Sequence, residues 1–156
     1  MLPCFCALLL RVAVSVGAWP VSKIDERFDG IDNILWYFEA WNSTRDLSTA
    51  LFMKERNMPK IIHWFGANDT ALPSQMAAFL VAQSEHDYFS MSREWTDGGW
   101  GYHPLFASTR CGRALQNATT TQGGRAWRRE FEHCVVELDM GCDIATHDGC
   151  GTITPK

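Results

Sequence analysis

Two short segments carry the residue types from which a binding or catalytic site could be assembled. "KIIHWF" (60–65) ends with His63 and Trp64, and "REWTDGGWGYHP" (93–104) gathers Trp95, Asp97, Trp100, Tyr102 and His103 among glycines. Imidazole and carboxylate groups move protons at ordinary pH. An indole face stacks on an apolar sugar face, and aromatics on a glycine-rich loop suit a carbohydrate subsite. The alternative for each ring is packing into the core or anchoring of the loop. Glu130, Glu132 and His133 form a third group, which reads as the solvated turn of a hairpin. No G-x-S-x-G, phosphate loop or dinucleotide glycine pattern occurs, so neither a serine-hydrolase elbow nor a cofactor is expected. Cys111, Cys134, Cys142 and Cys150 contain no C-x-x-C pair, which argues against zinc.

A scaffold must hold these segments in place, and the pattern predicts one of alternating strands and helices. "IDNILWYF" (31–38) is rich in strand formers. "STRDLSTALFMKERN" (43–57) reads as a helix, with Ser43 and Asp46 placed as a capping box and Leu47, Ala50, Leu51 and Lys54 along one face. Pro59 ends it, and 60–65 reads as a short buried strand. Pro73 falls in the first turn of a second helix (73–83), whose apolar side includes Met76, Phe79 and Leu80. "DYFSMS" (87–92) is the next strand. This order implies parallel pairing through right-handed crossovers. Residues 105–125 read as polar and irregular. In "RREFEHCVVELDM" (128–140), Arg129 and Phe131 share one parity with Trp127, whereas Cys134, Val136, Leu138 and Met140 share the other. A single strand cannot switch its apolar face, so two short strands joined at Glu132-His133 are predicted.

The 156 residues, 46% of them hydrophobic, suffice for one globular domain with a real core. A net charge of −4 without a basic stripe argues against a nucleic-acid partner. No apolar run after the N-terminus approaches the ~18 residues of a membrane span. The opening "MLPCFCALLLRVAVSVGAWP" has an apolar run interrupted by Arg11, then Val16 and Ala18 placed as at a cleavage site, so residues 1–18 are expected to be a signal peptide. Three N-glycosylation triplets, at Asn42, Asn68 and Asn117, agree with secretion. Cys4 and Cys6 would leave with the leader. The four remaining cysteines then suggest two disulfides with three possible connectivities. The pairing expected is Cys134–Cys142 across the C-terminal β-structure, with Cys111–Cys150 as the other couple.

The order "RFDGI", "MPKIIHWFG", "QMAAFLVAQSEHDYFSMSREW" and "GRALQNATTTQGGRAWRREFEHCVVELD" resembles the C-terminal half of secreted glycoside-hydrolase-like proteins with a TIM-barrel catalytic domain. The resemblance covers about residues 27–146. It implies an α/β fold: a partial (β/α) barrel-like unit over 19–104, then a disulfide-bonded β-rich region over 105–156 whose hairpin packs on the last barrel units. A complete barrel takes about 250 residues, so roughly three β/α units are expected, with a partner or an upstream segment completing the barrel. The resemblance further implies action on an oligo- or polysaccharide through two carboxyl groups. Asp29 of "RFDGI" is the motif-like one and Glu39 the expected second. Asp32 is a further option, because Ile34 and Leu35 stand where the family pattern has a carboxylate. His63, Trp64 and the 95–103 loop would bind sugar. The other outcome is a non-catalytic carbohydrate-binding or disulfide-bonded interaction protein.

Overall fold

The computed structural model describes residues 13–15, 35–39, 44–65, 70–92, 103–142 and 148–156. Its first sheet is wholly parallel, in the order β1 (Ala13–Ser15), β2 (Leu35–Glu39), β3 (Lys60–Phe65), β4 (Tyr88–Ser92). Helix α1 (Thr44–Glu55) links β2 to β3, and α2 (Leu72–Ala82) links β3 to β4. A short helix α3 (Pro104–Ser108) precedes a second, antiparallel sheet. Its strands are β5 (Thr119–Thr121), β6 (Ala126–Glu130), β7 (Cys134–Asp139) and β8 (Gly151–Pro155), each paired with the next. The chain is therefore α/β, and among the described residues no barrel closes. Strand β1 lies inside the predicted leader, so removal of residues 1–18 would leave β2 outermost among the described strands.

Helix α1 stops for a local reason. Asn57 takes a left-handed φ of 53°, its N–H donates to the Lys54 carbonyl at 3.1 Å, and the Met58 N–H donates to the Met53 carbonyl at 3.0 Å. This is a Schellman ending with asparagine in the left-handed position, and Pro59 follows because it cannot continue the helix. Helix α2 has Pro73 in its first turn, where no intrahelical donor is needed. Leu72 and every residue from Ser74 to Ala82 are buried, not only the predicted stripe of Met76, Phe79 and Leu80. A helix buried all round needs cover on two sides. On one side Phe79 meets Phe89 of β4, ring centroids 5.4 Å apart. On the other lies the antiparallel sheet, whose Val136 and Leu138 join the same core as Ala77 and Val81. The approach is close enough to require glycine: a Cβ on Gly151 would sit 2.5 Å from the Ala77 Cβ. The Gly151 N–H donates to Ser74 Oγ at 3.1 Å instead.

The hairpin turns at Glu132-His133. Phe131 lies opposite Cys134, its N–H donating to the Cys134 carbonyl at 3.0 Å, and Arg129 is in register with Val136. The two parities of the sequence thus fall on one face, with Arg129, Phe131, Cys134, Val136 and Leu138 all buried. Arg129 is 5% exposed and reaches from β6 to the end of α2. Its Nη1 donates to the carbonyls of Leu80 (2.7 Å), Val81 (3.2 Å) and Gln83 (2.7 Å), and its Nε to Gln116 (3.3 Å). A cation on the last carbonyls of a helix satisfies their unpaired acceptors and complements the helix dipole.

Two expectations need correction. The disulfides are Cys111–Cys134 and Cys142–Cys150, with Cα separations of 4.9 and 5.7 Å, not Cys134–Cys142 and Cys111–Cys150. Cys134 opens β7 and Cys142 follows its end, so the strand alone holds them roughly 17 Å apart. Cys111 lies instead beside the hairpin turn, where its carbonyl accepts the His133 N–H at 2.9 Å. Cys150 ends a 3₁₀ turn (Asp148–Cys150) leading into β8, which brings it back to the far end of β7. The stretch read as irregular also contains β5. Its three threonines are all exposed, so no apolar alternation announces the strand.

Non-reducing peptide mapping is expected to return Cys111–Cys134 and Cys142–Cys150. Loop closure makes the first worth about 3 kcal/mol and the second somewhat less. Replacing Arg129 by Met leaves buried helix carbonyls without donors and is expected to cost about 3 kcal/mol in urea unfolding, with Arg129→Lys recovering only part because an ammonium on the helix carbonyls cannot also supply the bond that Nε gives Gln116.

Candidate functional site

Among the described residues, helices cover one face of the parallel sheet and leave the other open. Ile62 is fully buried, and its register partner Phe89 packs on α2. The alternate positions face the other way. There Tyr88 is 60% exposed, Ser90 is exposed, and Ile61 and His63 are half-buried. Parallel sheets are ordinarily covered on both faces. Glu39 at the end of β2, His63 in the second half of β3 and Ser90 at the middle of β4 occupy one register row. Two residues proposed from sequence, Glu39 and His63, are thus neighbours across the sheet. Ser90 completes the row and had no sequence signal, since a lone serine in a strand matches no motif.

The remaining sequence candidates fare differently. His103 is the N-cap of α3: its Nδ1 accepts the Leu105 N–H at 3.1 Å, and its ring meets Phe106 edge-on at 6.4 Å. Asp29, Asp32, Asn42, Ser43, Asn68, Trp95, Asp97, Trp100 and Tyr102 lie outside the described residues, as do the side chains of Glu39 and Trp64. Asn117 is exposed two residues before the hydroxyl of Thr119, which donates to the Arg128 carbonyl at 3.3 Å. Glu132 and His133 are exposed, and Glu130 pairs with Arg128 (2.6 Å) and Lys156 (3.4 Å), which hold its carboxyl below the usual range, Arg128 foremost. Among the described residues no three His, Cys, Asp or Glu side chains group as metal ligands, and no helix is long and apolar enough to cross a membrane.

The opposite, N-terminal end of the sheet holds the buried charges. Lys60 and Asp87 form an ion pair with both side chains fully buried. Asp87 also accepts the Lys60 N–H at 3.0 Å and the Ser84 N–H at 2.6 Å, so its carboxylate ties the start of β3 to the α2–β4 turn. Burial pulls the Lys60 ammonium below its ordinary range, and Asp87 opposes that pull. Burial also lowers Arg129, again opposed by Asp87. Lys54, in the last turn of α1, is lowered to about 8, first by burial, then by Arg129 and Lys60. Its folded value lies below the unfolded 10.5, so protonation there opposes folding, and this opposition fades as pH rises from about 8 to 10.5. Lys54 was seen in the sequence only as part of a helical stripe, and Arg129 only as part of a strand parity.

No protein-family model, curated protein or solved structure matches the chain.

Asp87→Asn strands a buried ammonium, and a cost of about 3–5 kcal/mol is expected in chemical unfolding. Adding Lys60→Met should return a good part of that loss, because an apolar side chain does not need the missing charge.

Proposed function

We propose that the chain is a secreted, glycoside-hydrolase-like β/α protein that takes an oligo- or polysaccharide on the uncovered face of its parallel sheet. One observation carries this reading: Glu39, the last residue of β2, and His63, near the end of β3, are register partners, beside a face on which no described helix packs. Barrel enzymes bind substrate at that end of their strands. In this reading Glu39 and Asp29 act as the carboxyl pair, one protonating the leaving oxygen and one serving as base or nucleophile. His63, Trp64 and the 95–103 aromatics hold the sugar. Two disulfides and three glycosylation triplets support an oxidising, extracellular location. The open sheet suits further β/α units or a partner.

A second reading, a non-catalytic sugar-binding or interaction protein, draws on Tyr88. A tyrosine 60% exposed on an uncovered sheet face is the kind of residue a second surface covers.

The test is a panel of polysaccharides offered to the secreted chain, measured for both hydrolysis and binding, beside Asp29→Asn, Glu39→Gln and Trp100→Ala. The enzyme reading expects hydrolysis that falls by orders of magnitude in each carboxylate variant with the fold retained. It also expects weakened binding in Trp100→Ala. Binding without hydrolysis would select the second reading, and neither binding nor hydrolysis would end both carbohydrate assignments.

A further inference from the structure

The cluster at the N-terminal strand ends carries more positive charge than the fold neutralises. Lys54 and Arg129 line one cavity, the charges of Arg129 and Lys60 both act on Lys54, and the one buried carboxylate among the described residues there, Asp87, is engaged by Lys60. Two positive charges are left over. The C-termini of α1 and α2 both point here, and each contributes roughly half a negative charge. That offsets about one of the two. Arg129 already serves the α2 carbonyls, whereas the Lys54 ammonium makes no hydrogen bond or ion pair among the described residues. The surrounding charges do not supply its partner. Glu55 is on the same helix and exposed, Glu85 is exposed in the α2–β4 turn, and Arg113 is mostly exposed and pairs with Glu132 at 3.6 Å.

An open cavity of about 630 Å³ lies against these groups. Lys54, Arg129 and Arg113 give it three cations against the single carboxylate of Glu85, Ser84 and Gln83 give polar groups, and Ala114 and Phe131 an apolar side. Such a cavity exceeds the size of a bare inorganic ion and suits an oxyanion head with a small organic body. It lies at the opposite strand ends from the Glu39–His63 row, so it is independent of the carbohydrate reading.

We propose that this cavity is a binding site for a small organic ligand bearing an oxyanion group, a sulfate ester or a carboxylate, with Lys54 as the ion-pairing residue and Ala114 on the side of the ligand body. Arg129 is a positioning residue: it fixes the α2 terminus and adds positive potential. The ligand supplies the negative charge that Lys54 lacks, so the protonated amine is stabilised in the complex. Binding is then at full strength below about pH 8 and weakens as Lys54 of the free protein loses its proton above that value.

The experiment is calorimetric titration of the full chain with glucose 6-sulfate, glucuronate and inorganic sulfate, none of which changes charge between neutral and mildly alkaline pH, with glucose as the neutral control. At least one anion should bind and glucose should not, and affinity should fall towards tenfold per pH unit above about pH 8. Lys54→Met should weaken binding about tenfold or more while the protein stays folded, since it removes an unpaired, half-buried charge. Lys54→Arg should keep the binding and lose its alkaline fall, because a guanidinium stays charged throughout. A tighter sulfate ester than inorganic sulfate would assign the apolar wall to the ligand body. Equal affinities would restrict recognition to the oxyanion head. Failure of every anion at concentrations on the order of 10 mM, or undiminished binding by folded Lys54→Met, would overturn the proposal.

Discussion

The guanidinium of Arg129 on the carbonyls that end α2 is the contact on which the arrangement of the two sheets depends. Among the described residues, the parallel sheet and the antiparallel sheet do not pair with each other. They share α2, which is apolar enough to be buried on both sides and short enough to end inside the protein. A helix end in that position exposes acceptors that water cannot reach, and such groups must find donors or cost several kcal/mol. One arginine from β6 supplies donors to three of them, at Leu80, Val81 and Gln83. The same side chain thereby fixes which face of the C-terminal sheet meets the helix. The close approach of Gly151 to Ala77 and the bond from Gly151 to Ser74 secure the helix at its other end.

Meeting that requirement creates the electrostatics of the neighbouring cavity. Arg129 has to be cationic to serve the carbonyls, and it lies near Lys60, which Asp87 neutralises, and Lys54, which nothing described neutralises. Burial lowers the Lys54 ammonium first, and the Arg129 charge that joins the sheets lowers it further. The other end of the parallel sheet has a different character. The face left open by the described helices presents His63 and Ser90 with little charge from described groups.

Much of the parallel half was legible because it is built from local signals. The β3 bounds at 60 and 65 follow from a short β-rich run after Pro59, and α2 follows from Pro73 and an unbroken run of helix-compatible apolar residues. The hairpin turn was legible from parity alone, since a two-residue turn carries 127–131 and 134–138 to the same face. What was hidden depends on distant pairing. Strand β5 is exposed along its length, and β8 (Gly151–Pro155) is recognisable only once β7 is there to receive it. The cystine pattern required knowing that Cys134 and Cys142 stand at opposite ends of one strand. Arg129 and Lys54 look like ordinary surface cations until the two sheets are brought together. Glu39 and His63 were legible as candidates, but their juxtaposition came only from the register of β2 on β3.

The central structural claim is that α2 and the C-terminal sheet form one cooperative unit joined through Arg129. Native-state hydrogen exchange tests it most directly, because units that open together exchange with one free energy. The account predicts that the amides of residues 76–82 in α2 and those of β6 and β7 share the slowest exchange, with a common opening free energy and a common response to denaturant. Fast, independent exchange of α2 while β6 and β7 stay protected would contradict it, since the helix would then not depend on the sheet for its burial or its end.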